Sequence, residues 1–162
     1  MTATRRTRPV ESSPSQSRAE TRRAIGWIDG AARGNPGEGG CGIVLEVGED
    51  SREEHRLYLG RTTNNVAEYT ALLALLERAA AVGVEAIEVR SDSLLVVEQM
   101  NGGYRVKARH LQPLWLRART LASRFRRFRI THIPRSGNRL ADALANRAID
   151  TAASTLPRPE GL

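Results

Sequence analysis

Residues 24–31 read Ala24-Ile25-Gly26-Trp27-Ile28-Asp29-Gly30-Ala31, an apolar run that Asp29 interrupts. The run is typical of a buried strand, and an acid at its end is unexpected in an apolar environment. A carboxylate at the edge of a core stays ionised only when another group compensates its charge; otherwise its pKa rises. Asp92 takes a similar position after a second apolar run, residues 86–91. The two acids therefore predict a site where two strands end.

Two more acids, Glu68 and Asp142, lie near the starts of two helical stretches rich in Ala and Leu. If these two acids meet Asp29 and Asp92, the four carboxylates repel one another strongly. A divalent cation is the simplest compensation, and an all-oxygen ligand set favours magnesium or manganese. Proteins commonly use such a site for phosphate chemistry.

The hydrophobic pattern predicts the element order β-β-β-α-β-α-α-β-α. Short turns between the first three strands imply antiparallel hairpins, and right-handed crossovers make strands one, four and five parallel. The expected fold is α/β, with a mixed five-stranded sheet and helices on both faces. Asn64 is the expected N-cap of the first helix. The predicted strands cover about residues 24–31, 41–47, 54–60, 86–90 and 128–133, and the helices about 64–83, 93–101, 111–124 and 140–151.

The 162 residues suit one domain, which we expect to span residues 24–152. Residues 1–23 contain six Arg and almost no apolar side chains and predict a disordered basic tail, and residues 153–162 predict a flexible C-terminal tail. No apolar run approaches the roughly 20 residues that cross a bilayer, and the N-terminus lacks the apolar segment of a secretory signal. Cys41 is the sole cysteine. We expect a cytoplasmic monomer without membrane contact.

The net charge of +7 is unevenly distributed along the chain. Residues 105–129 carry nine basic side chains and no acid, whereas residues 24–104 are net acidic. A long stretch of one charge sign favours contact with a polyanion such as nucleic acid. The alternative is an ordinary solvated surface, which is the better interpretation of any single Arg.

Four segments together resemble type 1 ribonuclease H. Residues 29–37 read DGAARGNPG, residues 62–69 TTNNVAEY, residues 91–93 SDS and residues 138–146 NRLADALAN. Each segment alone is weak evidence for the family, but the four segments occur in the family's order and on the expected helices and strands. The resemblance covers about residues 24–150.

This resemblance implies a metal-dependent endonuclease that hydrolyses the RNA strand of RNA/DNA hybrids and leaves 5′-phosphate and 3′-hydroxyl ends. It also implies two divalent metal ions, normally Mg²⁺, with Mn²⁺ as a substitute. Asp29 would bridge both ions, Glu68 and Asp92 would bind one, and Asp142 the other. Two ions roughly 3.5–4 Å apart can stabilise both the attacking and the leaving oxygen of an in-line displacement.

The resemblance also predicts how the hybrid is bound. Main-chain groups and amides at the minor groove sense the 2′-hydroxyl that separates RNA from DNA, and a threonine holds a DNA phosphate. We expect three cations before the third helix to lie closest to the DNA strand. The predicted binding residues are Gly34, Asn35, Thr63, Asn64, Asn65, Arg105, Lys107, Arg109 and Asn138.

The chain departs from the best-known bacterial pattern in three places. Arg135 takes the position of a mobile histidine in the loop before the last helix, and Leu94 replaces a glutamine that touches a base. The basic protrusion is missing, because only residues 102–110 connect the second and third helices. These features resemble a compact subgroup, part of which also attacks double-stranded RNA, and the sequence leaves that activity open here.

Two other functions fit parts of the pattern. A non-catalytic RNA/DNA hybrid-binding module is the first, but binding a polyanion gains nothing from four acids. A resolvase or transposase core is the second, and the segment from Asn64 to Glu68 favours ribonuclease H over it.

Overall fold

The computed structural model describes residues 21–49 and 51–162, so most of the predicted N-terminal tail lies outside the described residues. The predicted element order is confirmed, with one additional 3₁₀ turn before the last helix. The strands are β1 (Arg23–Gly34), β2 (Gly37–Val47), β3 (Ser51–Thr62), β4 (Ala86–Ser91) and β5 (Arg127–His132). The helices are α1 (Asn64–Ala81), α2 (Leu94–Asn101), α3 (Gln112–Ala122) and α4 (Arg139–Thr151), and the 3₁₀ turn is Arg135–Gly137.

The strands form one mixed sheet in the order β3-β2-β1-β4-β5. β1, β2 and β3 pair antiparallel, and β1, β4 and β5 pair parallel. Ile28 is opposite Ser91 in the parallel pair, so Asp29 and Asp92 follow neighbouring strand positions. This register confirms the predicted fold and brings the two acids to the same edge of the sheet.

The β1–β2 hairpin is longer than the sequence pattern suggests. Its pairing continues to Gly34 opposite Gly37, whereas the glycine-rich residues 33–40 were expected to form a turn. Gly40 serves helix packing instead, because a Cβ there would overlap the backbone of Ala145 in α4, and a Cβ at Gly42 further along β2 would likewise overlap Ala141. Glycine here allows close approach of a helix to a strand.

The helices lie on both faces of the sheet, as predicted. α1 packs centrally on one face and contacts α2 and α3, whereas α4 packs on β1, β2 and β3 at the other face. No helix in residues 21–49 and 51–162 is long and apolar enough to cross a membrane. The core lies between α1 and the sheet, and its fully buried side chains include Ile28, Ile43, Leu45, Leu57, Leu72, Leu73, Leu75 and Leu76.

The C-terminal segment, residues 153–162, does not behave as the predicted flexible tail. Thr155 N donates to Arg56 O at 2.8 Å, and Tyr58 N donates to Ser154 Oγ at 2.8 Å. Arg158 Nη2 also donates to Leu59 O at 2.9 Å. The segment thus covers the outer edge of β3, whose unpaired backbone groups need partners, and local composition does not reveal that demand.

Candidate functional site

The four predicted carboxylates line one cleft of about 420 Å³ at the edge where the parallel pairing of β1 with β4 ends. Asp29 belongs to β1, Asp92 follows β4, Glu68 lies in the second turn of α1, and Asp142 lies in the first turn of α4. Carboxylate oxygens of Asp29, Glu68 and Asp92 lie within 4.8 Å of one another. Asp142 is close enough to Asp29 to affect its pKa. The expected convergence is therefore present in the fold.

Asp29 and Glu68 are the buried members of this cluster, at 6% and 7% exposure. Burial, and then the charge of Asp92, raise the pKa of Asp29 to about 7. Burial, and then the charge of Asp29, raise the pKa of Glu68 well above its usual range. Desolvation and like charge act in the same direction here, so the protein without a cation keeps protons on this pair near neutral pH.

The close approach of β1 to α1 places Glu68 beside Asp29. A Cβ at Gly30 would overlap the backbone of Ala67 and Glu68, so only glycine permits this spacing. Glu68 Oε2 is buried and has no hydrogen-bond partner within residues 21–49 and 51–162. An orphaned buried carboxylate oxygen beside two other carboxylates fits a hard divalent cation, which takes oxygen ligands. Asp29, Glu68 and Asp92 are the residues that could hold it.

Asn138 has a different place from the one predicted. It was expected to contact nucleic acid, but it is 2% exposed. Its Nδ2 donates to Ile28 O at 2.8 Å and to Asp92 Oδ2 at 3.3 Å. The Asn138 side chain therefore links the main chain of β1 at Ile28 to the carboxylate of Asp92. The sequence did not indicate this burial because the contact with Ile28 spans 110 residues.

Besides Asn64 and Asn65, three further polar side chains line the cleft, and two of them were not expected. Arg135, in the 3₁₀ turn, lies there as predicted, while Arg139 and Ser93 were missed. The spacing of Arg139 and Asp142 was an available signal, because residues three apart share one face of a helix. The Ser93 side chain also accepts from Val96 N and caps α2. The cleft thus combines four acids with two exposed guanidinium groups.

The predicted minor-groove residues lie beside the acids. Asn64 and Asn65 line the cleft, whereas Gly34 and Asn35 form the β1–β2 turn next to it. Asn35 Oδ1 accepts from Asn64 N at 3.1 Å, and Asn64 Oδ1 accepts from Ala32 N at 3.0 Å. These two bonds join the turn to the start of α1.

The cap of α1 corrects another expectation. The cap residue is Thr63, which accepts from Val66 N at 3.3 Å, and Asn64 is the first helical residue. The Asn64 side chain instead accepts a hydrogen bond from the Ala32 main chain in β1. Thr63 therefore has a structural role whether or not it also meets a phosphate.

The predicted cations between α2 and α3 line a separate groove of about 850 Å³ rather than the acidic cleft. Its wall includes Trp115, whose Nε1 donates to Gln99 O at 3.0 Å and whose ring lies 5.2 Å from the Arg119 guanidinium. Gln99 Nε2 donates to Arg105 O at 3.5 Å, which fixes the start of the basic segment. The groove is lined by Tyr104, Arg105, Lys107, Arg109, Trp115 and Leu116, among others.

The sheet order, with acids directly after the last parallel pair of β1 and β4, defines a ribonuclease H-like domain. Residues 28–148 match the family model described as reverse transcriptase-like. The ribonuclease HI of Halobacterium salinarum is 46% identical over 131 residues, which cover 80% of this chain and 66% of that protein. The chain therefore belongs to the type 1 ribonuclease H family.

Solved structures agree with this assignment. The H. salinarum RNase H1 crystal structure superposes with a TM-score of 0.77 at 45% identity, covering 80% of this chain and 98% of that one. The structure of LC11-RNase H1 in complex with an RNA/DNA hybrid superposes with a TM-score of 0.75 at 40% identity. The match covers 80% of this chain and 98% of that one. A bifunctional protein of Mycobacterium tuberculosis is 46% identical over 129 residues, 78% of this chain. The chain spans only 35% of that protein's length.

Proposed function

We propose that this chain is an endoribonuclease that hydrolyses the RNA strand of RNA/DNA hybrids and leaves 5′-phosphate and 3′-hydroxyl ends. The observation that carries the proposal is the convergence of four carboxylates in one cleft with Asn64 and Asn65 at its rim. A module that only bound nucleic acid would gain nothing from buried acids that repel phosphate. The similarity to LC11-RNase H1, solved with an RNA/DNA hybrid, supports the same substrate class.

The acids would hold two Mg²⁺ ions, with Mn²⁺ as a substitute. Asp29 would contact both ions, Glu68 and Asp92 one, and Asp142 the other. Divalent cations at this site would supply charge stabilisation to the phosphoryl oxygens and lower the pKa of a bound water. The buried, partnerless Glu68 Oε2 is the feature of this chain that most favours a resident cation.

The remaining cleft residues act on the substrate directly. Asn64 and Asn65 would contact the minor groove and the 2′-hydroxyl, with the turn at Gly34 and Asn35 beside them. Arg135 and Arg139 line the cleft next to the acids and would hold the scissile phosphate with fixed positive charge. A guanidinium stays protonated at neutral pH, so these groups orient and stabilise phosphate without transferring a proton.

The basic groove between α2 and α3 would hold the DNA strand. Arg105, Lys107 and Arg109 are exposed, and the half-buried Trp115 and exposed Tyr104 offer apolar surface beside them. Cations beside aromatic rings suit a sugar-phosphate backbone. Gln99 supports the groove from below, since Tyr69 Oη donates to its Oε1 at 2.6 Å within the core.

A cleavage assay tests the proposal. Labelled RNA/DNA hybrid, double-stranded RNA and double-stranded DNA are each incubated with the protein, with and without Mg²⁺. We expect Mg²⁺-dependent cleavage of the RNA strand in the hybrid, with products that carry 5′-phosphates. An intact hybrid under all conditions, alongside tight binding, would instead identify a binding module. The double-stranded RNA arm decides whether the chain shares the second activity found in part of the compact subgroup.

Cellular location and oligomeric state stay predictions. We propose a cytoplasmic monomer. Cys41 is fully buried and donates through Sγ to Ala67 O at 3.2 Å, which leaves no accessible thiol among the described residues and suits a reducing compartment. Size-exclusion chromatography with light scattering would test the monomer.

A further inference from the structure

Asp142 is held at the cleft by a side chain that does not line the cleft. Asn146, one helical turn further along α4, donates through Nδ2 to Asp142 O at 3.0 Å and to Asp142 Oδ1 at 3.4 Å. Asp142 is exposed and lies outside the group of three acids whose oxygens approach within 4.8 Å. An exposed carboxylate has several rotamers open to it, so a fixed donor selects among them.

Asn146 is itself oriented from β1. Arg33 Nη2 donates to Asn146 Oδ1 at 3.3 Å and to Asn146 O at 3.4 Å. A guanidinium only donates and a carboxylate only accepts, so both neighbours demand the same orientation of the amide. Its oxygen faces Arg33 and its NH₂ group faces Asp142. Arg33 is held in turn by Asp150 Oδ1 at 2.7 Å.

Arg33 also stands at the predicted substrate surface. It immediately precedes Gly34 and Asn35, which form the β1–β2 turn expected at the minor groove. The turn is joined to α1 through Asn35 and Asn64 on one side and to α4 through Arg33 and Asn146 on the other. A shift of the turn would therefore displace hydrogen-bond partners in α1 and α4, the helices that carry Glu68 and Asp142.

We propose that Arg33 and Asn146 are positioning residues that hold Asp142 toward the acidic cleft and tie its orientation to the β1–β2 turn. The inference rests on the proposed function, because it assigns a role in that reaction to residues outside the cleft. Partners that orient a metal-binding residue typically contribute 10–100-fold to metal affinity or activity. Asn146→Ala should accordingly lower kcat roughly 10-fold and raise the Mg²⁺ concentration for half-maximal rate, with little change in KM for the hybrid.

The melting temperature separates positioning from a merely structural role. Alanine favours a helix interior over asparagine, so Asn146→Ala should not lower the melting temperature. Arg33→Ala should act in the same direction but less, by roughly two- to fivefold in kcat, because exposed charged contacts are weak. Arg147→Ala is the matched control. It removes one Arg from the exposed surface of α4, and among the described residues the only hydrogen bond between Arg147 and another side chain uses the Arg147 main-chain oxygen.

A double-mutant cycle tests whether the two residues act in series. The variant with both Arg33→Ala and Asn146→Ala should have the kcat of Asn146→Ala alone within about twofold, because Arg33 then has no amide to orient. A loss equal to the product of the two single losses would overturn the series arrangement. A kcat of Asn146→Ala equal to that of Arg147→Ala would overturn the positioning role.

The side-chain amide of Asn146 gives a readout that does not depend on activity. In ¹⁵N-resolved NMR spectra its two protons should shift on Asp142→Asn and on Arg33→Ala, and stay in place on Arg147→Ala. Unchanged signals in the first two variants would overturn the inference. A wild-type chain that leaves hybrids intact would overturn the proposed function instead, and the amide signals would then decide the positioning by themselves.

Discussion

The two sides of the acidic cleft are built in different ways. On one side, Asp29 and Glu68 are buried and are brought together by the close approach of β1 and α1 at Gly30. On the other side, Asp142 is exposed and Asp92 half-buried, and each has an asparagine as a hydrogen-bond partner, Asn138 for Asp92 and Asn146 for Asp142. Backbone packing places the first pair, whereas side-chain hydrogen bonds place the second.

The difference separates two costs of building the site. Ionising the buried pair is electrostatically unfavourable, and the raised pKa values of Asp29 and Glu68 reflect this. The accessible pair carries an ordering cost, because exposed side chains lose rotamer freedom when they are fixed. We therefore expect changes on the buried side to alter charge and stability together, and changes on the accessible side to alter catalysis with small effects on stability.

The largest effect is expected for Asp29→Asn. The change removes a charge that would contact the proposed cations and should lower cleavage by roughly 10³-fold or more, since metal charge stabilisation is worth several kcal/mol. Hybrid binding, measured by fluorescence anisotropy, should persist. The melting temperature without metal should rise, because repulsion within the buried pair is relieved. Cleavage within a few-fold of wild type would remove Asp29 from the metal site.

The second effect is on the pH dependence of stability without metal. Folding raises the pKa of Asp29 from 3.8 to about 7, so the native state binds more protons than the unfolded state between these values. Stability must then fall as pH rises through this window, by an amount on the order of a few kcal/mol. Urea unfolding in EDTA at pH 4–8 measures the slope. The difference between wild type and Asp29→Asn gives the contribution of the interacting Asp29–Glu68 pair, and equal slopes would contradict the assignment.

On the accessible side, Asn138→Ala should have the next largest effect. It leaves Ile28 O without its donor and frees Asp92, so we expect roughly a 10-fold loss of kcat and a stability loss of about 1–3 kcal/mol. Asn101→Ala is the matched control, because Asn101 Nδ2 donates to Ile130 O at 3.2 Å and, among the described residues, to no carboxylate. A control variant that loses as much kcat as Asn138→Ala would show that the Asn138 effect is only structural.

Arg135→Ala should produce a smaller loss confined to catalysis. If the guanidinium stabilises the scissile or product phosphate, kcat should fall roughly 10-fold, which corresponds to about 1.4 kcal/mol, with KM within twofold. Arg135→Lys should recover part of the rate, because it restores charge but not the planar donor pair. Steady-state kinetics on the hybrid decide the matter, and an unchanged kcat would make Arg135 a solvated loop charge.

The smallest effect on the chemical step is expected in the basic groove. Replacing Arg105, Lys107 and Arg109 with Ser should flatten the log–log salt dependence of hybrid binding by about two, since each phosphate contact contributes roughly 0.7–0.9. KM should rise while single-turnover cleavage at saturation is spared. The matched control replaces Arg124, Arg126 and Arg127, three exposed cations at the α3–β5 turn. Equal salt slopes for the two triple variants would place the DNA strand elsewhere.

Much of the fold could be predicted from sequence because it depends on local chemistry. The apolar runs before Asp29 and Asp92 predicted two parallel strands, and the strand register places both acids directly after the last β1–β4 pair, Ile28 and Ser91. The acids at the starts of α1 and α4 lie at the same edge because each helix follows a strand, β3 or β5, that runs in the same direction as β1. The cleft of acids was therefore predictable once the strand order was known.

Tertiary structure alone decided the surroundings of those acids. Asn138 and Ile28 are 110 residues apart, and Arg33 and Asn146 are 113 apart, so no local pattern marks either contact. The docking of residues 154–158 on β3 likewise depends on an exposed strand edge about 100 residues earlier in the chain. The sequence by itself determined which groups can do the chemistry, because residue type sets charge and hydrogen-bonding capacity. The three-dimensional packing decided which of them are buried and oriented, because burial depends on contacts between segments distant in the chain.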